Sequence, residues 1–177
     1  MERCYLLFRQ NFTSQIIAFQ RLPSIWNLGQ GLSKSLPSSS FGLLDLSGNH
    51  LTGGIPAMLA NCSQLDTIFL NDNRFSGSIP PEIFKSSKLI KIDLGLNQLT
   101  GTIPSEVILS TNLQHLGLWN NFLSGNIPKE LFNLPNLTHL HLNTNELTGP
   151  LPDFPSSCSL SEFLFMRTVC QVLCQLP

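Results

Sequence analysis

A repeat of 24 residues constrains this chain more than any other feature of its sequence. Asparagine recurs at this interval through the middle of the chain, at Asn49, Asn73, Asn97, Asn121 and Asn145. The same interval carries a leucine before each asparagine, and a glycine and then a proline after it. Internal repeats of roughly 20 to 50 residues predict a solenoid, in which each repeat stacks on its neighbours.

The repeated unit reads L-x-x-L-x-L-x-x-N-x-L-x-G-x-I-P and predicts one short strand per repeat. Alternate apolar residues such as Leu116 and Leu118 point to one side of that strand. One strand cannot bury this side alone, so we expect successive rungs to stack about 4.8 Å apart as a parallel sheet. The glycine and the Ile-Pro pair predict a tight turn. A helical segment is then indicated by the apolar residues Leu59, Ile83, Val107 and Leu131.

The asparagine stands where the chain leaves the strand and turns, which leaves backbone donors and acceptors unpaired inside the coil. A side-chain amide satisfies both kinds of group. We therefore predict that the five repeated asparagines form a buried structural ladder. An unsatisfied buried group costs about 1 to 3 kcal/mol, so loss of one asparagine is expected to be costly.

The five regular repeats occupy residues 41–159. Residues 1–40 contain a degenerate repeat or an N-terminal cap region, in which Trp26 would cover the end of the core. Residues 160–177 form a degenerate C-terminal repeat or a truncated end, where Leu160, Phe163 and Phe165 keep the spacing of a strand. The array therefore counts as a single stack with imperfect ends.

Composition excludes several functional classes for these 177 residues. The net charge is -1 and no run of lysine or arginine is present, which argues against nucleic acid as a partner. The longest apolar stretches are interrupted by Arg9, Glu162 and Arg167, so we predict no transmembrane segment. The first ten residues also lack the apolar run of about 7 to 15 residues that a signal peptide needs.

Three acceptor patterns for N-glycosylation begin at Asn11, Asn61 and Asn136, and they matter only in a secreted chain. The cysteine count of five is odd, and the cysteines do not have the spacing of a zinc site. Cys62 is predicted to be a small buried thiol. Cys170 and Cys174 are close enough in sequence for a disulfide at the end of the stack, but the sequence assigns no pairing.

The segment Leu-Gly-Leu-Asn-Gln-Leu-Thr-Gly-Thr-Ile-Pro at 94–104 is similar to the plant-type leucine-rich repeat. The chain resembles the ectodomains of plant receptor-like kinases and receptor-like proteins, strongly over residues 41–155 and weakly over 22–40 and 160–170. The resemblance implies an α/β leucine-rich repeat solenoid. Such a fold is a right-handed superhelix with short parallel strands on its concave side and 3-10 or short helical turns on its convex side.

The resemblance also implies a noncatalytic module that binds a protein or peptide ligand, or a co-receptor, on the concave face at the extracellular side of the plasma membrane. Relatives normally add a signal peptide, a paired-cysteine cap, a membrane helix and a kinase domain. We find none of these patterns and interpret the chain as a fragment or shortened product of such a receptor. The alternative is a secreted inhibitor of microbial cell-wall-degrading enzymes, similar to polygalacturonase inhibitors.

No enzyme motif accompanies the repeats: the sequence has no Gly-x-Gly-x-x-Gly loop, no His-Arg-Asp loop, no Asp-Phe-Gly and no Gly-x-Ser-x-Gly elbow. We therefore predict no catalytic activity and no cofactor. The residues between the strand leucines point outward and form columns across the rungs. The predicted ligand contacts on this face are Phe69, Asn71, Arg74, Asp93, His115, Trp119, Phe122, His139 and His141.

Two features of that face have competing interpretations. The aromatic residues Phe69, Trp119 and Phe122 are candidate binding anchors, or else scattered surface residues that shield the sheet. The three histidines could approach one zinc ion, but no fourth ligand is specified, so we predict no metal and favour solvated side chains. A pH-sensitive contact is the remaining interpretation of the histidines.

Overall fold

A computed structural model describes residues 17–18, 42–151 and 159–164 of the chain. Several sequence predictions therefore lie outside the described residues: Asn11, Trp26, Phe165, the cap regions around them, and the cysteines Cys4, Cys158, Cys170 and Cys174. None of the helices in the described part has the length and apolar character needed to cross a bilayer.

The described residues contain twelve short strands. In chain order they are β1 (Ile17–Ala18), β2 (Leu43–Asp45), β3 (Thr52–Gly53), β4 (Thr67–Phe69), β5 (Arg74–Gly77), β6 (Lys91–Asp93), β7 (Gln98–Leu99), β8 (His115–Gly117), β9 (Ser124–Asn126), β10 (His139–His141), β11 (Glu146–Thr148) and β12 (Glu162–Leu164). Seven of them form the main sheet, in the order β1-β2-β4-β6-β8-β10-β12, and every pair in it is parallel. The predicted parallel stack, with one strand per rung, is confirmed.

The register of the main sheet follows the repeat. Ile68 lies beside Ile92, Ile92 beside Leu116 and Leu116 beside Leu140, so equivalent residues of successive rungs are neighbours. These side chains, and the leucine that follows each strand, fill the interior. Leu94 and Leu118, for example, are 0% exposed. The core is thus one continuous column that no single rung could build.

Within residues 42–151, four 3-10 helices form the opposite side of the coil, at Ala57–Asn61, Pro81–Lys85, Ser105–Leu109 and Lys129–Asn133. Each follows directly on the repeated proline, whose backbone is extended before the chain turns into the helix. The predicted helical residues Leu59, Ile83, Val107 and Leu131 are all buried against the core. The predicted α/β solenoid, with strands on one side and 3-10 turns on the other, is confirmed.

A second set of strands was not predicted. The segments after each asparagine pair in parallel, as a three-stranded sheet of β3, β5 and β7 and a two-stranded sheet of β9 and β11. The sequence indicated only a turn there. The repeated glycine lies in this region with φ of 90° at Gly53 and 78° at Gly77, where a Cβ would meet no atom within 4 Å. At these two positions glycine is needed for its backbone conformation and not for space, whereas at Gly149 a Cβ would also overlap the side chain of Asn126.

The repeated asparagines lie inside the turn that follows each main strand. The Nδ2 group of Asn97 donates to the carbonyl oxygens of Leu94 and of Leu70, both at 3.0 Å. Its Oδ1 accepts the N–H of Phe75 at 2.9 Å. Leu70 and Phe75 belong to the preceding rung, so the side chain joins two rungs. The five asparagines are 5% to 9% exposed, and this bond from the preceding rung recurs at Asn73, Asn121 and Asn145.

The residue before each asparagine adopts a left-handed backbone. Its φ is 66° at Gly48, 57° at Asp72, 51° at Leu96, 53° at Asn120 and 58° at Thr144. This requirement is invisible in the repeat because five different residues occupy the position. Leucine and threonine adopt such a conformation at a cost, since their Cβ approaches the backbone.

Cys62 lies at the end of the first 3-10 helix, half-buried against the core. It is disulfide-bonded, so the prediction of a small buried thiol is wrong. The other four cysteines lie outside the described residues. This cysteine therefore forms a covalent cross-link, which the spacing of the repeat did not predict.

Candidate functional site on the strand face

The outward side of the main sheet forms the candidate site, and we call it the strand face. It comprises the outward side chains of β2, β4, β6, β8, β10 and β12, the residues that directly follow these strands, and a rim beyond the asparagines that carries Arg74 and Phe122. In β4 and β10 the middle residue is buried while the residues on either side are half-buried. The strands therefore hold one side chain per column and per rung at fixed positions.

The three aromatic residues of this face differ in environment. Phe69 and Trp119 are half-buried, whereas Phe122 is 52% exposed. The indole of Trp119 lies against Gly95 of the preceding rung, so closely that a Cβ on Gly95 would overlap it. Gly95 thus leaves a recess that the indole fills. Trp119 therefore covers the sheet at Gly95, whereas Phe122 leaves about half of its surface in contact with solvent.

Asp93 has a structural role that the sequence did not reveal. Its Oδ1 accepts the N–H of Gly95 at 2.9 Å, as Oδ1 of Asp45 accepts the N–H of Ser47 at 3.0 Å. Each carboxylate closes the turn at the end of its strand. The carboxylate of Asp93 also lies over Gly117 of the next rung, where a Cβ would be 2.6 Å from Oδ1. Its Oδ2 is 4.0 Å from Nε2 of His115, so this oxygen remains available for contacts on the strand face.

The strand face brings His115, His139 and His141 together, and we call these residues the histidine cluster. The ring centroids of His115 and His141 are 5.2 Å apart and those of His115 and His139 are 5.8 Å apart. Glu162 on β12 closes the group, with Oε1 3.3 Å from Nε2 of His141 and Oε2 3.7 Å from Nε2 of His139. Glu162 was not predicted from the sequence, although the spacing of Leu160 and Phe163 places it beside His139 in the next rung.

Burial and neighbouring charge act on the cluster. Desolvation lowers the pKa of His115 below its ordinary value, and His141, His139 and Lys91 lower it further, while the carboxylate of Asp93 opposes them. Nε2 of His141 is buried and makes no hydrogen bond, and its 3.3 Å contact with Oε1 of Glu162 becomes an ion pair when the imidazole is protonated. Among the described residues, no group of three or more histidine, cysteine, aspartate or glutamate side chains is placed to hold a metal ion.

The remaining predicted contacts are more dispersed. Phe69 lies on β4, two rungs from Trp119, and Asn71 follows that strand as a half-buried residue. Arg74 and Phe122 are exposed but stand beyond the ladder, directly after Asn73 and Asn121. The face therefore has a dense part around β6 to β12 and a sparser rim.

A cleft of about 350 Å³ lies along the edge where the main strands begin. It is lined by Asp66, Lys88, Ile90, Asn112, Gln114 and Asn136. Most of its polar groups already have partners: Nζ of Lys88 donates to Oε1 of Gln64, and Nδ2 of Asn112 donates to the carbonyl oxygen of Ser87. The exposed Asn136, a predicted glycosylation acceptor, donates from Nδ2 to the carbonyl oxygen of Thr111. Side-chain hydrogen bonds thus join neighbouring rungs along this edge.

Comparison with known families gives the same repeat. The family model described as Leucine Rich repeats (2 copies) matches residues 111–156, and the model described as Leucine Rich Repeat matches residues 40–62 and 64–86. A search of curated proteins finds no significant match.

Solved structures similar to this chain are plant receptor ectodomains. The chain is 40% identical to a TDR receptor, covering 68% of this chain and 21% of that one, with a TM-score of 0.65. It is 38% identical to the Arabidopsis receptor kinase HAESA, solved with the peptide hormone IDA and the co-receptor SERK1, covering 69% and 20%, with a TM-score of 0.67. The chain thus spans about a fifth of the length of these two structures. For a chain of the BIR3–SERK2 complex from Arabidopsis thaliana the identity is 32%, the coverage 80% and 78%, and the TM-score 0.64.

Proposed function

Because this chain belongs to the leucine-rich repeat family, with plant receptor kinase ectodomains among its relatives, we propose that it is a noncatalytic module that recognises proteins or peptides. The ligand or co-receptor binds to the strand face, on the concave side of the solenoid. One observation carries the proposal. The repeat holds the strand face rigidly, yet that face bears aromatic and ionisable side chains that the repeat itself does not need.

The proposed contacts are those named from the sequence, and Glu162 is added to them. Phe122 supplies exposed apolar area, and the histidine cluster supplies polar groups on adjacent strands. The relatives support a partner of this class, since HAESA was solved with a peptide hormone and a co-receptor. They also favour a receptor over a secreted enzyme inhibitor. The proposed location is the extracellular side of the plasma membrane, with Asn61 and Asn136 as exposed glycosylation acceptors and Asn11 as a third.

The absence of catalysis is part of the same proposal. The carboxylates of Asp45 and Asp93 each accept a backbone N–H and close a turn, and they lie on strands two rungs apart. An active site requires that a nucleophile, a base and an orienting group meet at one point. Oγ1 of Thr138 lies 2.8 Å from Nδ1 of His139, but this hydroxyl donates to the carbonyl oxygen of Gln114 at 3.0 Å, so the imidazole does not accept its proton.

Binding of the full chain to the ectodomains of SERK1 and SERK2 tests the proposal, since these proteins occur in the complexes of its relatives. We expect measurable binding by biolayer interferometry, weakened about tenfold or more by Phe122→Ala or Trp119→Ala, because anchor residues dominate interfaces. Met58→Ala is the matched control: Met58 is 46% exposed but lies on a 3-10 helix, on the opposite side of the coil. Binding that depends on Met58 and not on Phe122 or Trp119 contradicts the proposed surface.

A further inference from the structure

We propose that the histidine cluster binds the carboxylates of an acidic peptide segment, and that it does so only when its imidazoles are protonated. This inference rests on the proposed function and names the partner class and the condition for one part of the strand face. The partner is a protein or peptide segment rich in aspartate or glutamate. Binding is weak at neutral pH and strong at mildly acidic pH.

The geometry of Glu162 shows how the cluster receives a carboxylate. Its two oxygens face the Nε2 atoms of His141 and His139 at 3.3 and 3.7 Å, so one carboxylate spans both imidazoles. The side chains of Glu162 and His139 are 47% and 43% exposed. A carboxylate of a partner can therefore reach Nε2 of His139 from the solvent side, and it reaches the buried Nε2 of His141 by taking the place of Glu162.

Nε2 of His141 is buried and makes no hydrogen bond, and Oε1 of Glu162 lies 3.3 Å from it. A protonated imidazole is a donor at both ring nitrogens, and a buried charge without a partner is costly. A charged His141 therefore depends on a carboxylate at this place, and a partner that displaces Glu162 has to supply one.

Protonation reverses the charge of this part of the strand face. The charged groups facing the cluster are Lys91 and Asp93 on β6 and Glu162 on β12. One cation against two carboxylates gives a formal charge of -1 while the imidazoles are neutral, and three protonated imidazoles change it to +2. Histidine ordinarily changes charge between about pH 5 and pH 8. The lowered pKa of His115 means that this residue needs more acid than an ordinary histidine.

The three imidazoles also repel one another once they are charged. His115 shows the effect, because burial and its histidine neighbours lower its pKa. Carboxylates bound from solution offset that repulsion, so anion binding and proton uptake favour each other. An apolar or basic partner gives no such linkage. The chemistry of the cluster therefore selects an acidic partner.

The test uses the full chain and two synthetic fluorescent peptides of equal length, one alternating aspartate with serine and the other alternating asparagine with serine. Fluorescence anisotropy at about pH 5.5 and about pH 7.5 should show the aspartate peptide binding about tenfold tighter at the lower pH. The asparagine peptide should show no such change. Equal affinity of the aspartate peptide at both pH values, or no binding at either, overturns the proposal.

Variants separate the cluster from the general charge of the protein. Three of the four histidines in the sequence belong to the cluster, and the fourth, His50, is an exposed residue of the first rung. The double substitution of His139→Gln and His141→Gln should abolish the pH dependence, whereas His50→Gln should preserve it. Persistence of the pH dependence in the double variant overturns the proposal, provided that circular dichroism shows a folded chain.

Glu162→Gln provides a second variant in case the double substitution does not fold. It removes the internal competitor, so the aspartate peptide should bind more tightly at about pH 5.5. Unchanged or weaker binding contradicts the competition. None of these results alters the assay with SERK1 and SERK2 and the Trp119 and Phe122 variants, which tests the proposed function separately. If the aspartate peptide fails these tests while SERK1 or SERK2 binds as expected, the acidic partner is rejected and the proposed recognition function stands.

Discussion

The asparagine ladder and the strand face are built by residues only a few positions apart in the same rungs, yet one repeats and the other does not. The ladder position is asparagine in all five rungs and is 5% to 9% exposed. Two residues before it, the strand face has Ser47, Asn71, Gly95, Trp119 and Asn143. Burial explains the contrast. A buried backbone group accepts very few partners, whereas an outward side chain has water as an alternative.

This difference assigns separate tasks to neighbouring residues. The ladder fixes the distance and register between rungs. The positions of the side chains on the strand face follow from that distance and register. Function can therefore vary along the face without a change of fold. Three substitutions test how complete this separation is.

The largest effect is expected from Asn97→Ala. The substitution leaves the N–H of Phe75 without its acceptor and removes donors from the carbonyl oxygens of Leu70 and Leu94. We expect the free energy of unfolding to fall by about 2 to 4 kcal/mol. Urea denaturation followed by circular dichroism measures it. Asn71→Ala is the matched control, since it changes the same residue type on the strand face, and it should cost less than about 1 kcal/mol. Equal losses would remove the distinction between the two regions.

A smaller effect is expected from Gly95→Ala, which tests whether the strand face also constrains the fold. The added Cβ would overlap the indole of Trp119, so the indole must move. Overpacking of this kind costs about 1 to 3 kcal/mol. The near-ultraviolet circular dichroism of tryptophan should change together with the denaturation midpoint. In Gly54→Ala the nearest atom lies 3.8 Å from the new Cβ, so both signals should stay close to those of the parent chain. A silent Gly95→Ala would show that Trp119 is not held in the recess.

The smallest effect is expected at the boundary between the two regions, from Thr144→Asn. Thr144 has a φ of 58° and is exposed, so the substitution removes little packing. Asparagine tolerates the left-handed conformation better than a β-branched residue, and we expect a gain of about 0.5 to 1 kcal/mol. Thr148→Asn, at an exposed position in β11 where φ is not positive, should give no gain. A loss of stability at Thr144 would mean that backbone strain is not what limits this position.

The parts of the fold that could be predicted are those in which one residue type meets one physical demand in every rung. Alternating leucines gave the main strands, and Asn97 and its equivalents mark the turn where backbone groups need partners. The family resemblance added the 3-10 side. The left-handed position escaped because Gly48, Leu96 and Thr144 all satisfy it, the latter two under strain. When several residue types can adopt a required backbone conformation, the sequence shows no consensus residue at that position.

The site was predictable only as a set of columns. The columns predicted that His115 lies beside His139. They did not predict the direction in which long side chains lean. Trp119 leans toward Gly95 of the preceding rung, and Asp93 toward Gly117 of the following one. Glycine on a neighbouring rung is the signal that could have revealed both contacts. The bond at Cys62 had no such signal, because the repeat does not depend on a thiol at that position.

The ladder also gives the array a polarity. The side-chain oxygens of Asn73, Asn97, Asn121 and Asn145 each accept an N–H from the rung before, as Oδ1 of Asn73 does from Leu51 and Oδ1 of Asn145 from Leu123. The two ends of a run of such rungs therefore differ chemically. A rung added at the leading end has to offer a main-chain N–H to a side-chain oxygen, whereas a rung added at the trailing end has to bring an oxygen to a main-chain N–H at a fixed point.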